Sequence, residues 1–292
     1  MATGYTTTTS LAYIIPEITE RVQYIFQNAG IGRQLVTYRD ITGQPGKTVE
    51  FPIFSEVAAS TSVGETATPD SHAMAVTSGT LTIAKRSVYV GIGDLAKKSM
   101  TDPVSAISDA MGKAMVKAID TSIFNVISTT NYATSAGATN AALTLANCLS
   151  ALNVLEENEV DLPYSVVLHP HQYKSIRTTL VATEATTGTA SLKVANIKTN
   201  EQLQAAYVST MFGMNWFVTN RVSSRTVDAT ASCWSGLVFH QRGIGYGFSW
   251  LAEPGIEVIR SLSAVDETIL NWADSAAVIY ASGVCTLYST SA

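Results

Sequence analysis

The spacing of hydrophobic positions changes twice along the first half of the chain. Residues 47–55 alternate, with Val49, Phe51 and Ile53 on one side and Thr48, Glu50 and Pro52 on the other, the period of a half-buried strand. Pro52 has no N–H to give a ladder, which marks an edge strand or a strand end. Residues 56–79 hold almost no bulky apolar side chain and cannot build a core. Alternation resumes over 80–92. Leu81 and Ile83 share a face, the phase slips near Lys85-Arg86, and Val88, Val90 and Ile92 continue on the other parity, as a bulge or bend would produce. The two runs predict a long β hairpin with a flexible polar tip. The period then becomes helical. Asp102 is a good N-cap and Pro103 suits the first helical position. Val104, Ile107, Met111, Met115, Ile119, Ile123 and Val126 follow at helical spacing, predicting a rod over 102–129 that is about 40 Å long.

Residues 1–46 read as an extended arm. Its first ten residues are small and polar. Pro16 opens a short amphipathic stretch carrying Ile18, Val22, Ile25 and Phe26, and Gly30 and Gly32 close it. That helix has nothing local to pack against, so its partner is expected elsewhere, a neighbouring chain included. Beyond the rod, 130–142 reads as a loop and 144–158 as a helix with Leu145, Leu149, Leu152 and Leu155 on one face. Tyr164 to Leu168 reads as a buried strand, about 171–181 as a short helix, 183–200 as a loop, and 201–212 as helical. Strands are expected at 215–219, 233–240, 244–252, 255–262 and 276–288, the last nearly continuously apolar and so part of a core sheet. Helices and strands are segregated, which gives an α+β class.

The 292 residues are 46% hydrophobic, but only 14% are charged, against the usual quarter or so. Charge depletion marks interface cores, so much of this surface is expected to lie against other copies. The competing reading is a neutral β protein rich in small residues. The net charge of −5, with no Lys/Arg cluster, excludes a protein that grips nucleic acid tightly. Cys148, Cys233 and Cys285 are widely spaced and form no CxxC, which predicts buried free thiols. No run approaches the roughly 18 to 20 apolar residues of a membrane span. The N-terminus lacks the basic and apolar regions of a signal peptide, so a cytoplasmic origin is expected.

Candidate chemistry is sparse. His169-Pro170-His171 has a spacing that suits a metal, but Pro170 interrupts the strand and no further ligands lie nearby. Gly243, Gly245 and Gly247 form G-I-G-Y-G between strands. That is not a dinucleotide fingerprint, and it reads as a twisted or closely approached strand. Glu156, Glu157, Glu159 and Asp161 read as a solvated helix end, and Asp266, Glu267 and Asp274 likewise. Trp216, Trp234, Trp250 and Trp272 read as core or interface anchors. No catalytic, cofactor-binding or metal-binding residue is assigned.

The order of elements resembles the major capsid protein of tailed bacteriophages, with the Hong Kong ninety-seven-type shell fold. Five segments carry the likeness: G-K-T-V-E-F-P-I-F at 46–54, T-L-T-I-A-K-R-S-V-Y-V-G-I at 80–92, D-L-A-K-K-S-M-T-D-P at 94–103, V-V-L-H-P-H-Q-Y at 166–173 and A-V-I-Y-A-S-G-V-C-T at 277–286. The resemblance implies an N-terminal arm at 1–46, an extended β-hairpin loop at 47–92, and a spine helix with part of the peripheral domain at 93–130. It further implies a mainly axial domain at 131–260 and return strands completing the peripheral domain at 261–292. It implies a homo-oligomer of pentamers and hexamers closing into an icosahedral head, assembled in the bacterial host cytoplasm, that encloses double-stranded DNA without tight binding. A portal and a decoration protein are implied partners. Because Met1 lies only about 46 residues ahead of the first strand, a separate scaffolding protein or a scaffold-free route is expected. No Lys–Asn cross-link is expected, since no matching constellation is visible. Val49, Phe51, Ile53, Leu81, Ile83, Val88, Val90, Ile18 and Val22 are the expected intersubunit contacts. Three alternatives stand beside this reading: an encapsulin-like nanocompartment shell, a soluble nucleotide-binding or hydrolytic enzyme, and a tail or surface-layer protein.

Overall fold

The computed structural model describes residues 14–54, 57, 72–93, 99, 102–126, 135–187, 207–228, 231–250, 256–260 and 265–290. In chain order the helices are α1 (Ile14–Ala29), α2 (Gly32–Leu35), α3 (Pro103–Phe124), α4 (Leu145–Glu157) and α5 (Pro170–Thr187). The strands are β1 (Thr37–Asp40), β2 (Thr48–Phe54), β3 (Val76–Thr82), β4 (Ala84–Gly93), β5 (Ser135–Gly137), β6 (Tyr164–Leu168), β7 (Tyr207–Met211), β8 (Met214–Val218), β9 (Ser224–Asp228), β10 (Ala231–His240), β11 (Ile244–Trp250), β12 (Ile256–Arg260), β13 (Val265–Val278) and β14 (Val284–Thr290).

The long helix starts where the sequence predicts, with the Asp102 carboxylate accepting from the Ser105 N–H at 3.0 Å. Its 22 residues make a rod of about 33 Å. The arm helix does not wait for a neighbour. α1 lies along α3 of its own chain, with Ile18 and Val22 buried against Met111 and Met115. Gly112 permits that closeness, since a Cβ there would stand 3.1 Å from Ile25.

Two sheets share the rest. In the five-stranded sheet β13 is central. It pairs antiparallel with β4 along one edge and with β12 and β11 along the other, and β1 adds in parallel to β11. In the seven-stranded sheet β10 is central, between β14 on one side and β6 and β9 on the other. β8 and β7 extend it beyond β6, and β5 extends it beyond β14. Phe248, Leu270 and Trp272 from the first sheet, Val167, Leu237 and Phe239 from the second, and the apolar stripes of α1 and α3 form one core. A second core lies on the opposite face of the seven-stranded sheet, where α4 sets Cys148, Ala151, Leu152 and Leu155 against Val166, Trp216, Val238 and Leu287. β6 is therefore covered on both faces, and all five of its residues are buried, which accounts for its unbroken apolar run.

Four expectations change. The return strand of the hairpin is two strands: β3 pairs with β2, the ladder breaks at Ile83, and β4 joins the main sheet. The run 276–288 is also two strands, parted by a 3-10 turn at Ala281–Gly283. The expected unit 261–292 is thus divided, with β13 in the five-stranded sheet and β14 in the seven-stranded one. The expected boundary near 260 gives way to two crossings, at 241–243 and 281–283. Of the helix expected at 201–212, residues 201–206 lie outside the described residues, and 207–211 form β7. It turns into β8 through Phe212 and Gly213, both at positive φ. The hairpin tip at 58–71 lies outside the described residues.

Candidate assembly surfaces

The β2–β3 ribbon is anchored to the body by the face that its alternation marks as apolar. Val49, Phe51, Leu81 and Ile83 are buried together with Ile41 and Ala273, and Ala277 and Ile279 pack against them. Glycines make the seat. A Cβ on Gly245 would stand 3.1 Å from the Phe51 ring, and one on Gly247 would stand 3.1 Å from Val49 Cγ2. Gly79, on the ribbon, would clash with Ile279 if it carried a Cβ. The G-I-G-Y-G segment is thus a flat landing strip, the closely approached strand that its composition suggests.

Among the nine expected contact residues, Ile18, Val22, Val49, Phe51, Leu81 and Ile83 are buried within their own chain. A neighbour reaching any of these six would have to displace that packing. Ile53, Val88 and Val90 are half-buried, the two valines against the first core. What the ribbon turns outward is a different set. Phe54 and Val76 face each other across the ladder at its far end, and Val57 and Met74 lie just beyond them in sequence. All four are more than half exposed, as is Tyr89 on β4. One sign of this was present in the sequence. Ile53 and Phe54 are consecutive, so one of them must face away from the seat. An open groove of ≈ 490 Å³ runs beside the ribbon between Ile41, Gln44, Thr48 and Val76. Arg39 crosses toward it, donating to the Glu50 carbonyl at 2.7 Å.

The last turns of α3 tie the parts together through polar side chains. The fully buried carboxylate of Asp120 accepts from the Gly32 N–H at 2.9 Å and pairs with the Arg221 guanidinium. Asn125 Oδ1 accepts from the Ser223 N–H at 3.0 Å and from its hydroxyl at 2.7 Å. On the other side, Arg86 donates to the Ser122 hydroxyl at 3.0 Å and to Asp274 Oδ1 at 2.6 Å. Burial pushes the Asp120 carboxyl above its ordinary range despite Arg221. It pushes Asp274 up to about 6, with Arg86, Trp272 and Tyr246 pulling the other way. These carboxylates tie α3 to α2, to the segment after β8 and to the five-stranded sheet.

His169 and His171 stack with parallel rings, centroids 5.3 Å apart, and His169 stacks on Trp234 at 3.5 Å. His169 Nδ1 accepts from the His171 N–H at 3.3 Å, so the ring caps the start of α5. Among the described residues, no group of three or more His, Cys, Asp or Glu side chains is gathered as a metal would need. Cys148, Cys233 and Cys285 are buried and stand outside any disulfide. No described helix is long and apolar enough to cross a membrane.

Comparison with known proteins completes the picture. The model of the family described as Phage capsid protein matches residues 77–285, more than half of the chain. No curated protein sequence matches. Among solved structures, the capsid of Ralstonia phage GP4 is similar at a TM-score of 0.62 and 11% identity, with 91% of this chain and 90% of that one covered. The capsid of the cyanophage P-SCSP1u is similar at 0.58 and 17% identity, covering 88% and 87%. An encapsulin complex from Synechococcus elongatus is similar at 0.57 and 10% identity, covering 89% and 88%. At these identities the structural likeness shows the fold.

Proposed function

The chain belongs to the phage capsid protein family, and from that premise we propose that it is the repeating subunit of an icosahedral phage head enclosing double-stranded DNA. The family match carries this reading, because 77–285 contains the spine helix and most of both sheets. On this reading the five-stranded sheet with α3 is the peripheral domain, the seven-stranded sheet with α4 and α5 the axial domain, and the β2–β3 ribbon the base of the extended loop. Pentamers and hexamers are built by the ribbon's outward end, Phe54, Val57, Met74 and Val76, lying on an adjoining subunit, with Ile53, Val88 and Val90 as flanking contacts. Each such contact is modest, and a closed shell repeats it until dissociation is slow. The low charge fraction fits a surface largely taken up by copies of itself. With a net charge of −5, the shell holds DNA by enclosure. A portal completes the head, which assembles in the host cytoplasm.

The likeness to an encapsulin supports a second reading, a nanocompartment shell. Electron microscopy of the chain expressed with its neighbouring genes separates the two. Closed particles carrying a unique portal vertex and DNA support the head. Uniform portal-free particles loaded with an enzyme support the nanocompartment. A chain that stays monomeric at high concentration under every assembly condition overturns both.

A further inference from the structure

The two sheets are joined by two antiparallel strands that break at the same level. β10 and β14 are paired up to Phe239 and Val284, and β11 and β13 resume at Ile244 and Val278. Between these rungs both strands leave the ladder together, one through the 3-10 turn Gln241–Gly243 and the other through Ala281–Gly283. The turns lie back to back. The Gly243 carbonyl accepts from the N–H of Ile279 at 2.9 Å and of Tyr280 at 3.2 Å, and a Cβ on Gly243 would stand 2.8 Å from the Gly283 carbonyl. Thr37 Oγ1 adds a bond to the Gln241 carbonyl at 3.1 Å, and Asn158 Nδ2 one to the Ser282 carbonyl at 3.3 Å.

One side chain, partly exposed, caps the first turn. His240 is its N-cap, and His240 Nδ1 accepts from the Arg242 N–H at 3.2 Å. An imidazole nitrogen accepts only while it carries no proton, and in the charged ring both nitrogens are donors. The titratable groups around His240 are Arg242 on its own turn, Asp161 from the segment before β6, and Tyr164, its cross-strand partner on β6. The opposing turn offers only Ala281, Ser282 and Gly283, and the start of β1 offers Thr37. Burial and Arg242 both hold the His240 ring toward its neutral form, and Asp161 opposes them.

We propose that the crossing from β10 to β11 is an acid-released joint, held closed by the neutral His240 imidazole and freed when that ring takes a proton. Protonation removes the acceptor from the Arg242 N–H and sets two positive charges side by side on a three-residue turn. The turn then opens, and with it the bonds from Ile279 and Tyr280 to the Gly243 carbonyl. One of the two strands linking the sheets becomes slack while the core on either side stays intact. The inference concerns this chain's own joint and does not depend on the shell reading.

Hydrogen exchange of the full chain between pH 7.5 and 5, corrected for intrinsic rates, tests it. Protection at Arg242, Ile279 and Tyr280 should fall roughly fivefold or more on acidification, the size expected for losing one N-cap acceptor. His240→Asn keeps an acceptor that does not titrate, so protection there should be independent of pH. His169→Asn, removing the other capping imidazole, should leave the drop unchanged. His240→Ala should show low protection at every pH; if it fails to fold, the comparison of wild type with His240→Asn decides alone. A wild-type turn whose protection ignores pH, or an equal drop in His240→Asn, overturns the proposal.

Discussion

Arg86 Nε lies 2.6 Å from Asp274 Oδ1, and the two side chains share that bond unequally: Arg86 is 39% exposed, Asp274 fully buried. The carboxylate depends on the guanidinium far more than the reverse. Arg86→Ala leaves a buried charge without its partner, and because the arginine is partly solvated the cost should sit near the lower end for such pairs, about 3 kcal/mol. Urea unfolding at pH 7 reads this directly, and an unchanged midpoint would show that Asp274 finds another partner.

The same carboxyl gives a pH dependence of definite sign. Its folded value, about 6, lies above the ordinary carboxylate range, so the native state holds this proton more tightly than the unfolded chain does. Ionised Asp274 therefore costs stability above pH 6, and its contribution improves as pH falls from 7 toward 4, by up to about 3 kcal/mol. His169 and His240 run the other way. Burial lowers both, so their contribution is lost as pH falls through the imidazole range. Comparison with Asp274→Asn isolates the carboxyl. The variant should gain more on wild type at pH 7.5 than at pH 5, in thermal or urea unfolding.

Gly247→Val should lift the ribbon from its seat. The new side chain would enter space already held by Val49 and Ile83, an overpacking cost of about 1–3 kcal/mol. Exchange protection should fall first in β2 and β3, with α3 and β10 unaffected. Uniform loss across the chain would mean that the seat belongs to the global core.

Phe54→Ser combined with Val76→Ser removes apolar surface that the isolated chain exposes. Subunit stability should change by no more than about 0.5 kcal/mol per site. Sedimentation should nevertheless show the variant failing to form shells under conditions where the wild type assembles. Normal particles would move the contact away from the ribbon's far end.

Much of this architecture was legible because local signals agreed with tertiary ones. The Asp102 cap, Pro103 and the stripe from Val104 to Ile123 specify α3 without help from elsewhere, and Tyr164–Leu168 reads as buried because it is. What escaped depends on distance in sequence. β1 and β5 are short and exist through partners about 150 to 200 residues away. The phase slip near Lys85-Arg86 marks a break close to Ile83 without saying that the strand changes partner there, and the 3-10 turn at Ala281–Gly283 is a short interruption between two apolar runs. Alternation in 47–55 and 80–92 correctly marks a buried face, but period alone does not say whether a sheet's own body or a neighbour covers it. The glycines of β11 settle that for the ribbon's base. The arm helix needs a partner away from its own segment, and its pattern alone does not say which: α1 finds its groove more than eighty residues downstream, at Gly112.

β13 is the strand through which the parts of the five-stranded sheet and the ribbon meet. It zips to β4 over ten rungs, to β11 and β12 on its far edge, carries Ala273 and Ala277 under the ribbon, and runs on through Tyr280 into β14. A load carried along β13 would put its ladders to β4, β11 and β12 in shear, where many rungs must fail at once. The twin turns beyond Val278 interrupt those ladders, and a strand loaded along its length would give there first.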